Sequence, residues 1–255
     1  DLLQALFGRN GESPIPVLAP SSPADCFAVA IEAFRIAVRH TTPVFILSEG
    51  YLANGSEPWR IPSLHELAPI EIQHPADAEG VQPYSRDTST LARPWVLPGT
   101  PGMEYRMGGL EKQPGSGNVS YAPQDHEAMC RLRADKVKRI AAFLPEIEIT
   151  GPRQAALLVL GWGGSYGAVA AAVQRTRHKG LAVAHAHLRY LNPFPSGLGE
   201  VLKRYDKVLI PELNAGQLAL LIRARYLVDA ESFSRLQGRP FTIAEIETRI
   251  EELLS

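Results

Sequence analysis

The chain has 255 residues, 45% hydrophobic and 21% charged, the profile of one large or two ordinary folded domains and not of a disordered segment. Its 26 Lys and Arg against 27 Asp and Glu leave a formal charge of −1, which speaks against nucleic acid or an anionic membrane as a bulk partner. No apolar run approaches the roughly 18 residues of a membrane span, and two cysteines, Cys26 and Cys130, without CxxC spacing, supply neither a disulfide framework nor a cluster site and fit a reducing cytoplasm.

The opening DLLQALFG has no Met and no signal-like run, so it reads as the middle of a longer polypeptide. A first helix leads into GRNGESP, a polar loop at a sheet edge that carries Arg9, Asn10 and Glu12. Such a loop is either close to a site or a solvated turn. Residues 15–19 and 44–47 are short apolar runs around a long helical pattern, which predicts a βαβ unit with parallel strands. Ser22 is the expected N-cap, Pro23 the first helical residue and Asp25 the acid that reaches back. Phe27, Ile31, Phe34 and Val38 form an apolar stripe that Ala30, Ala33 and Ala37 widen. Two strands cannot bury both faces of a parallel sheet. Residues 1–60 are therefore expected to be the closing half of a larger domain, with Val17, Leu18, Val44, Phe45 and Ile46 covered by another segment or chain.

Residues 61–150 are expected to form an extended connector followed by a helix. Prolines and glycines recur up to about residue 125, and no periodicity persists there. A helix from about His126 places Met129, Leu132, Val137, Ile140 and Leu144 on one side and Arg131, Arg133, Lys136 and Lys138 on the other. Trp59–Arg60 and Arg93–Trp95 read as interface anchors. Residues 151–255 alternate strands at 156–160, 181–188 and 207–210 with helices near 166–177, 199–205, 216–228 and 243–254. That alternation predicts a parallel sheet wound by helices.

GWGGSYG, residues 161–167, stands where a dinucleotide-binding turn would stand. Tyr166 replaces the third small residue, and the next strand ends without an acid for a ribose. It reads as a plain strand-to-helix corner. His185 and His187 share a strand face without a third ligand and read as sheet packing. Glu49 and Gly50 end one strand, and Glu212 and Asn214 follow another, both at the ligand-bearing ends of parallel strands. Glu212 reads as a ligand or structural carboxylate, and Asn214 as its neighbour or as a helix cap. No Ser-His-Asp, Cys-His or metal-ligand constellation emerges, so no metal site is expected.

DLLQALFGRNGE, SSPADCF, LSEGYLANGSEPW, RDTSTLARPWVLPGTPG, GNVSY, HLRYLNPFP and PELNAGQL together resemble the α subunit of 2-oxoacid:ferredoxin oxidoreductases, most closely the 2-oxoglutarate type. Glu49 stands where that family suggests Asp. The resemblance implies a thiamine diphosphate enzyme that decarboxylates a 2-oxo acid oxidatively, forms an acyl-CoA and passes electrons through iron–sulfur clusters to ferredoxin. It implies an α/β fold in three parts: the C-terminal half of a pyrimidine-binding thiamine domain (1–60), the connector and helix (61–150), and a Rossmann-like domain of the transketolase C-terminal type (151–255). Thiamine diphosphate with its Mg would be shared with a β subunit, which would also carry the clusters, and coenzyme A would be co-substrate. Arg9, Asn10, Glu12 and Glu49 would lie near the thiamine and substrate site, and Glu212 and Asn214 at an interface or ligand. The activating glutamate would lie upstream of Asp1, so this chain alone is expected to be inactive. A flavin- or nucleotide-binding electron-transfer module and a non-catalytic assembly domain are the other readings. A yellow flavin spectrum would distinguish the first of these.

Overall fold

The computed structural model describes residues 1–76 and 79–255. Its elements run α1 (Leu2–Phe7), β1 (Val17–Leu18), α2 (Asp25–His40), β2 (Phe45–Ile46), α3 (Gly50–Asn54), α4 (Pro123–Arg139), β3 (Ile149–Thr150) and β4 (Leu157–Trp162). They continue α5 (Tyr166–His178), β5 (Val183–Leu188), β6 (Tyr190–Asn192), α6 (Leu198–Leu202), β7 (Lys207–Glu212), α7 (Gln217–Tyr226), β8 (Ala230–Ser234) and α8 (Ile243–Leu254).

The expected βαβ unit is present: β1 and β2 pair in parallel, with Val17 opposite Phe45 and Leu18 opposite Ile46. Its cover differs from expectation. β6 pairs antiparallel with the free edge of β1, so the sheet runs β2-β1-β6. The Ala19 amide donates to the Arg189 carbonyl at 2.8 Å, and Asn192 Nδ2 donates to the Ile15 carbonyl at 2.6 Å. Val17 and Leu18 are thus buried within this chain and await no other segment. Phe45 and Ile46 do stay exposed.

α2 also departs from the reading of its stripe. Val29, Ala33, Ile36 and Val38 are buried, whereas Phe27 and Phe34 are exposed, Phe34 by 59%. The slimmer face lies on Leu18, Tyr190 and Ile140, because short strands leave little room for aromatic rings beneath the helix. Phe27 packs on Trp59 instead, ring centres 5.2 Å apart. The predicted Ser22 cap accepts from the Asp25 amide at 3.3 Å, while the Asp25 carboxylate reaches back to Ser21, one residue earlier, accepting from its amide and hydroxyl at 2.9 Å.

Among the described residues, the connector holds one 3₁₀ turn, Leu64–Glu66, and two isolated bridges, Tyr84 to Gly115 and Lys112 to Val119. Asp87 closes the DTST turn, its Oδ1 accepting from the amides and hydroxyls of Ser89 and Thr90. Four donors hold this carboxyl far below the usual carboxylate range. The following residues are tied to the end of α2: Trp95 Nε1 donates to the Val38 carbonyl at 2.7 Å, and Thr41 Oγ1 to the Arg93 carbonyl at 3.0 Å. Arg93 lies over the Tyr84 ring. Arg93 and Trp95 therefore anchor the connector to its own chain. Lys136, expected on the polar side of α4, is buried and donates to the Thr41 carbonyl at 2.9 Å. Burial among Arg86, Arg93 and Arg133 pushes its ammonium down to about 8.

The second sheet has the order β3-β5-β4-β7-β8, parallel except for the β3 edge. Leu157–Leu160 is fully apolar, as a strand covered on both faces requires. Leu157 and Val159 pack against Val169, Val173, Ile246 and Ile250 of α5 and α8. Leu158 and Leu160 face a core that joins Leu198, Leu218 and Ile222 to Leu2, Ala5, Ile15 and Val17. One core therefore draws on both ends of the chain. β3, β6 and β8 escaped the periodicity reading because they are short or, for β6, continuous with β5. No helix among the described residues is long and apolar enough to cross a membrane.

Candidate functional site

The ends of β2, β4 and β7 meet around a cavity of about 250 Å³ lined by Ser48, Glu49, Trp162, Ser165, Glu212 and Asn214, among others. This is where open parallel sheets hold ligands. The structure thus joins three sequence candidates, Glu49, Glu212 and Asn214, across the seam between the two sheets.

Glu212 ends β7 and is only 1% exposed. Its Oε1 accepts from Trp162 Nε1 at 3.2 Å and from the Leu218 amide at 2.8 Å, and its Oε2 accepts from the Ala219 amide at 3.0 Å. The carboxylate therefore meets the free donors and positive end of α7. Asn214 Oδ1 accepts from the Gln217 amide at 2.9 Å, the helix-cap reading of that residue. Both side chains build the wall of the cavity.

Glu49 is different. It precedes α3 and lies half-buried against the first turn after β4, with Oε1 buried and without a hydrogen-bond partner. Burial raises its pKa, and the nearby Gly164 amide offsets only part of the shift. Glu49 is thus the carboxyl of this cavity best able to hold a proton or accept an N–H.

Two of the four glycines of GWGGSYG, Gly161 and Gly164, are accounted for by close neighbours. A Cβ on Gly161 would come within 2.7 Å of His187 Nδ1, and one on Gly164 would overlap Glu49 Oε1. Gly163 takes a positive φ of 58°, where the strand turns into the helix. Ser165 Oγ donates to the Trp162 carbonyl at 2.7 Å. The Glu49 carboxylate lies directly against Gly164 in this turn, so the strand-to-helix corner packs against the segment that follows β2. His185 is buried and His187 half-buried beside Tyr166. Burial pushes His185 down to about 4 and His187 to about 3.

The GRNGESP loop lies apart from this cavity. Arg9 and Glu12 line a groove of about 720 Å³ with Cys130, Arg131 and Arg225, and Asn10 is exposed outside both cavities. The Arg9 guanidinium donates to the carbonyls of Ala5 and Ser13, which fixes its own loop. Arg9, Asn10, Glu12 and Glu49 are therefore not gathered at one point. The expectation of no Cys-His constellation also fails. Glu111, His126 and Cys130 place one ligand atom each within 4.8 Å of the others. The i, i+4 spacing of His126 and Cys130 was a legible signal, but Glu111 joins them only through the fold.

The family model for the thiamine diphosphate-binding domain of pyruvate flavodoxin/ferredoxin oxidoreductases matches residues 1–118. That for core domain II of pyruvate:ferredoxin oxidoreductase matches residues 155–246. The 2-oxoglutarate oxidoreductase subunit KorA of Mycobacterium tuberculosis is 56% identical over 247 residues, 96% of this chain and 38% of that protein. The α subunit of 2-oxoacid:ferredoxin oxidoreductase 2 of Aeropyrum pernix is 28% identical, over 100% of this chain and 40% of its own length. The chain thus spans about two fifths of these relatives. The solved 2-oxoglutarate:ferredoxin oxidoreductase of Magnetococcus marinus, with 2-oxoglutarate, coenzyme A and succinyl-CoA bound, superposes with a TM-score of 0.94 at 29% identity, covering 100% of this chain and 45% of that one. With both domain models matched in order and the fold reproduced along the whole of this chain, it belongs to the 2-oxoacid:ferredoxin oxidoreductase family.

Proposed function

We propose that this chain forms part of an α subunit that, with a β subunit, oxidatively decarboxylates 2-oxoglutarate, makes succinyl-CoA and passes electrons through iron–sulfur clusters of the partner to ferredoxin. The carrying observation is the full-length superposition on the Magnetococcus marinus enzyme and the ligands that enzyme holds. A cytoplasmic location fits this chemistry. Within the chain, we assign 1–60 to the thiamine domain, 61–150 to the connector and helix, and 151–255 to the second α/β domain.

Thiamine diphosphate supplies the carbanion chemistry in such an enzyme. The cavity at Glu49 is lined by three acidic residues, Asp1, Glu49 and Glu212, and an indole, and no Lys or Arg is among its described lining residues. These residues fit the N–H donors of an aminopyrimidine and do not fit a diphosphate with Mg, which we assign to the β subunit. Glu49 would accept or hold a proton on that side. Glu212, fixed by Trp162 and the α7 amides, keeps the wall rigid. Arg9, Asn10 and Glu12 would act on the neighbouring groove instead.

Viologen-dye reduction by the α polypeptide co-expressed with its β subunit tests the reading. Reduction is expected with 2-oxoglutarate and coenzyme A, slower reduction with pyruvate, and none from this chain alone. Absence of turnover with every 2-oxo acid tried would reject the proposal.

A further inference from the structure

Cys130 and His126 lie one helical turn apart on α4, with Cys130 Sγ 3.7 Å from His126 Nε2. A tetrahedral zinc ion, with Zn–S of about 2.3 Å and Zn–N of about 2.0 Å, separates its sulfur and nitrogen ligands by about 3.5 Å. The pair is therefore already spaced as two ligands of one ion. On the other side of the ring, His126 Nδ1 meets Glu111 Oε2 at 2.7 Å. A carboxylate on one ring nitrogen and a soft donor facing the other is the arrangement that orients metal-bound histidines.

Glu111 is held in place by the connector. The Ser120 amide donates to the Glu111 carbonyl at 3.0 Å, next to the Lys112–Val119 bridge. Ser120 Oγ in turn donates to Asp125 Oδ2 at the start of α4. The two segments are thus locked to each other where the three side chains converge. The neighbouring charge points the same way: Arg133 sets one guanidinium nitrogen 3.1 Å from Cys130 Sγ and another 3.5 Å from Glu111 Oε1. It provides the positive charge that these donors attract, and it is exposed enough to swing aside. Arg131 is engaged with Glu127 on the outer face. Cys130 also lines the 720 Å³ groove, which gives water access to the remaining positions.

We propose that His126 Nε2 and Cys130 Sγ bind a divalent cation of the zinc class, with Glu111 orienting the His126 ring through Nδ1, water at the remaining positions and Arg133 as the cation it displaces. Imidazole with a thiolate selects zinc over the hard oxygen-seeking cations. The site lies on the connector side of the chain and is independent of the decarboxylation proposed above.

Cobalt(II) titration of the full chain reads the site directly, because a bound thiolate gives an intense sulfur-to-cobalt absorption. One equivalent is expected to bind, and zinc is expected to displace it. Cys130→Ser should abolish the band, and His126→Ala should weaken zinc binding by more than about tenfold. Cys26→Ser, at the other cysteine, should change neither. Arg133→Ala should tighten binding, an effect a purely structural ion-pair cluster would not produce. Absence of the band, its survival in Cys130→Ser, or weaker binding in Arg133→Ala would overturn the proposal. Circular dichroism of each variant separates loss of the site from loss of the fold.

Discussion

Gly164 and Glu49 are in such close contact that a Cβ at position 164 would overlap Oε1 of the carboxylate. Gly164 is not among the residues with positive φ, so alanine fits its backbone and the collision is purely between side chains. Gly164→Ala is expected to destabilise the protein by about 2 kcal/mol through overpacking. Glu49→Ala in the same chain should return most of that loss, a coupling of about 1 kcal/mol or more. Urea denaturation of the two single variants and the double variant measures it. Additive effects would show that the two residues do not meet.

Glu212 and Asn214 should differ sharply in cost although they are two residues apart. Glu212→Gln turns an amide group toward the Leu218 and Ala219 donors and removes the charge at the start of α7. A loss of about 3 kcal/mol is expected for a buried, charge-assisted network. Asn214→Ala removes one capping bond and should cost about 1 kcal/mol. Thermal melts compare them, and equal shifts would contradict the assignment.

Acidification is expected to destabilise the fold before the exposed carboxylates titrate. Burial pushes His40 and His185 down to about 4 and His187 down to about 3. The unfolded chain takes up these protons near pH 6.5, and the folded chain does so only well below it. Stability is therefore complete above about pH 6.5 and falls as the pH drops toward 4, by roughly 1.4 kcal/mol per pH unit for each histidine still neutral. Glu49, whose pKa is raised, acts in the opposite sense, one group against three. Urea midpoints at about pH 7.5 and about pH 5 read the slope, and His187→Gln should flatten it.

Calorimetric titration with NAD and NADP is expected to show no heat of binding. The turn after β4 already faces the Glu49 carboxylate, and like charge repels a diphosphate there. Binding in the low micromolar range would mean that Glu49 moves away and that the corner reading is wrong.

Much of this was legible in one dimension. The apolar run LLVL, the glycine corner and the helix of 243–254 predict the second α/β unit, because a strand covered on both faces and an amphipathic helix each leave a local pattern. PELNAGQL likewise places Glu212 and Asn214 between a strand and a helix, and the seven quoted segments carry the family resemblance across the chain.

What the local pattern could not carry is which surfaces meet. Whether the broad apolar side of α2 turns its aromatic or its slim face to the sheet depends on Tyr190 and Ile140, more than a hundred residues away. β6 completes the first sheet from within the second unit, so burial of Val17 and Leu18 is decided by a pairing that leaves no trace near them. Glu49 finds Gly164, and Glu111 finds His126 and Cys130, in the same way. Sequence by itself determined most of the elements, the α/β class and the family, since periodicity, turn residues and motif identity are properties of short stretches. The cavity at the seam and the Glu-His-Cys cluster were decided only by tertiary structure, because contact between distant segments follows from the shape of the whole core and not from any one stretch of it.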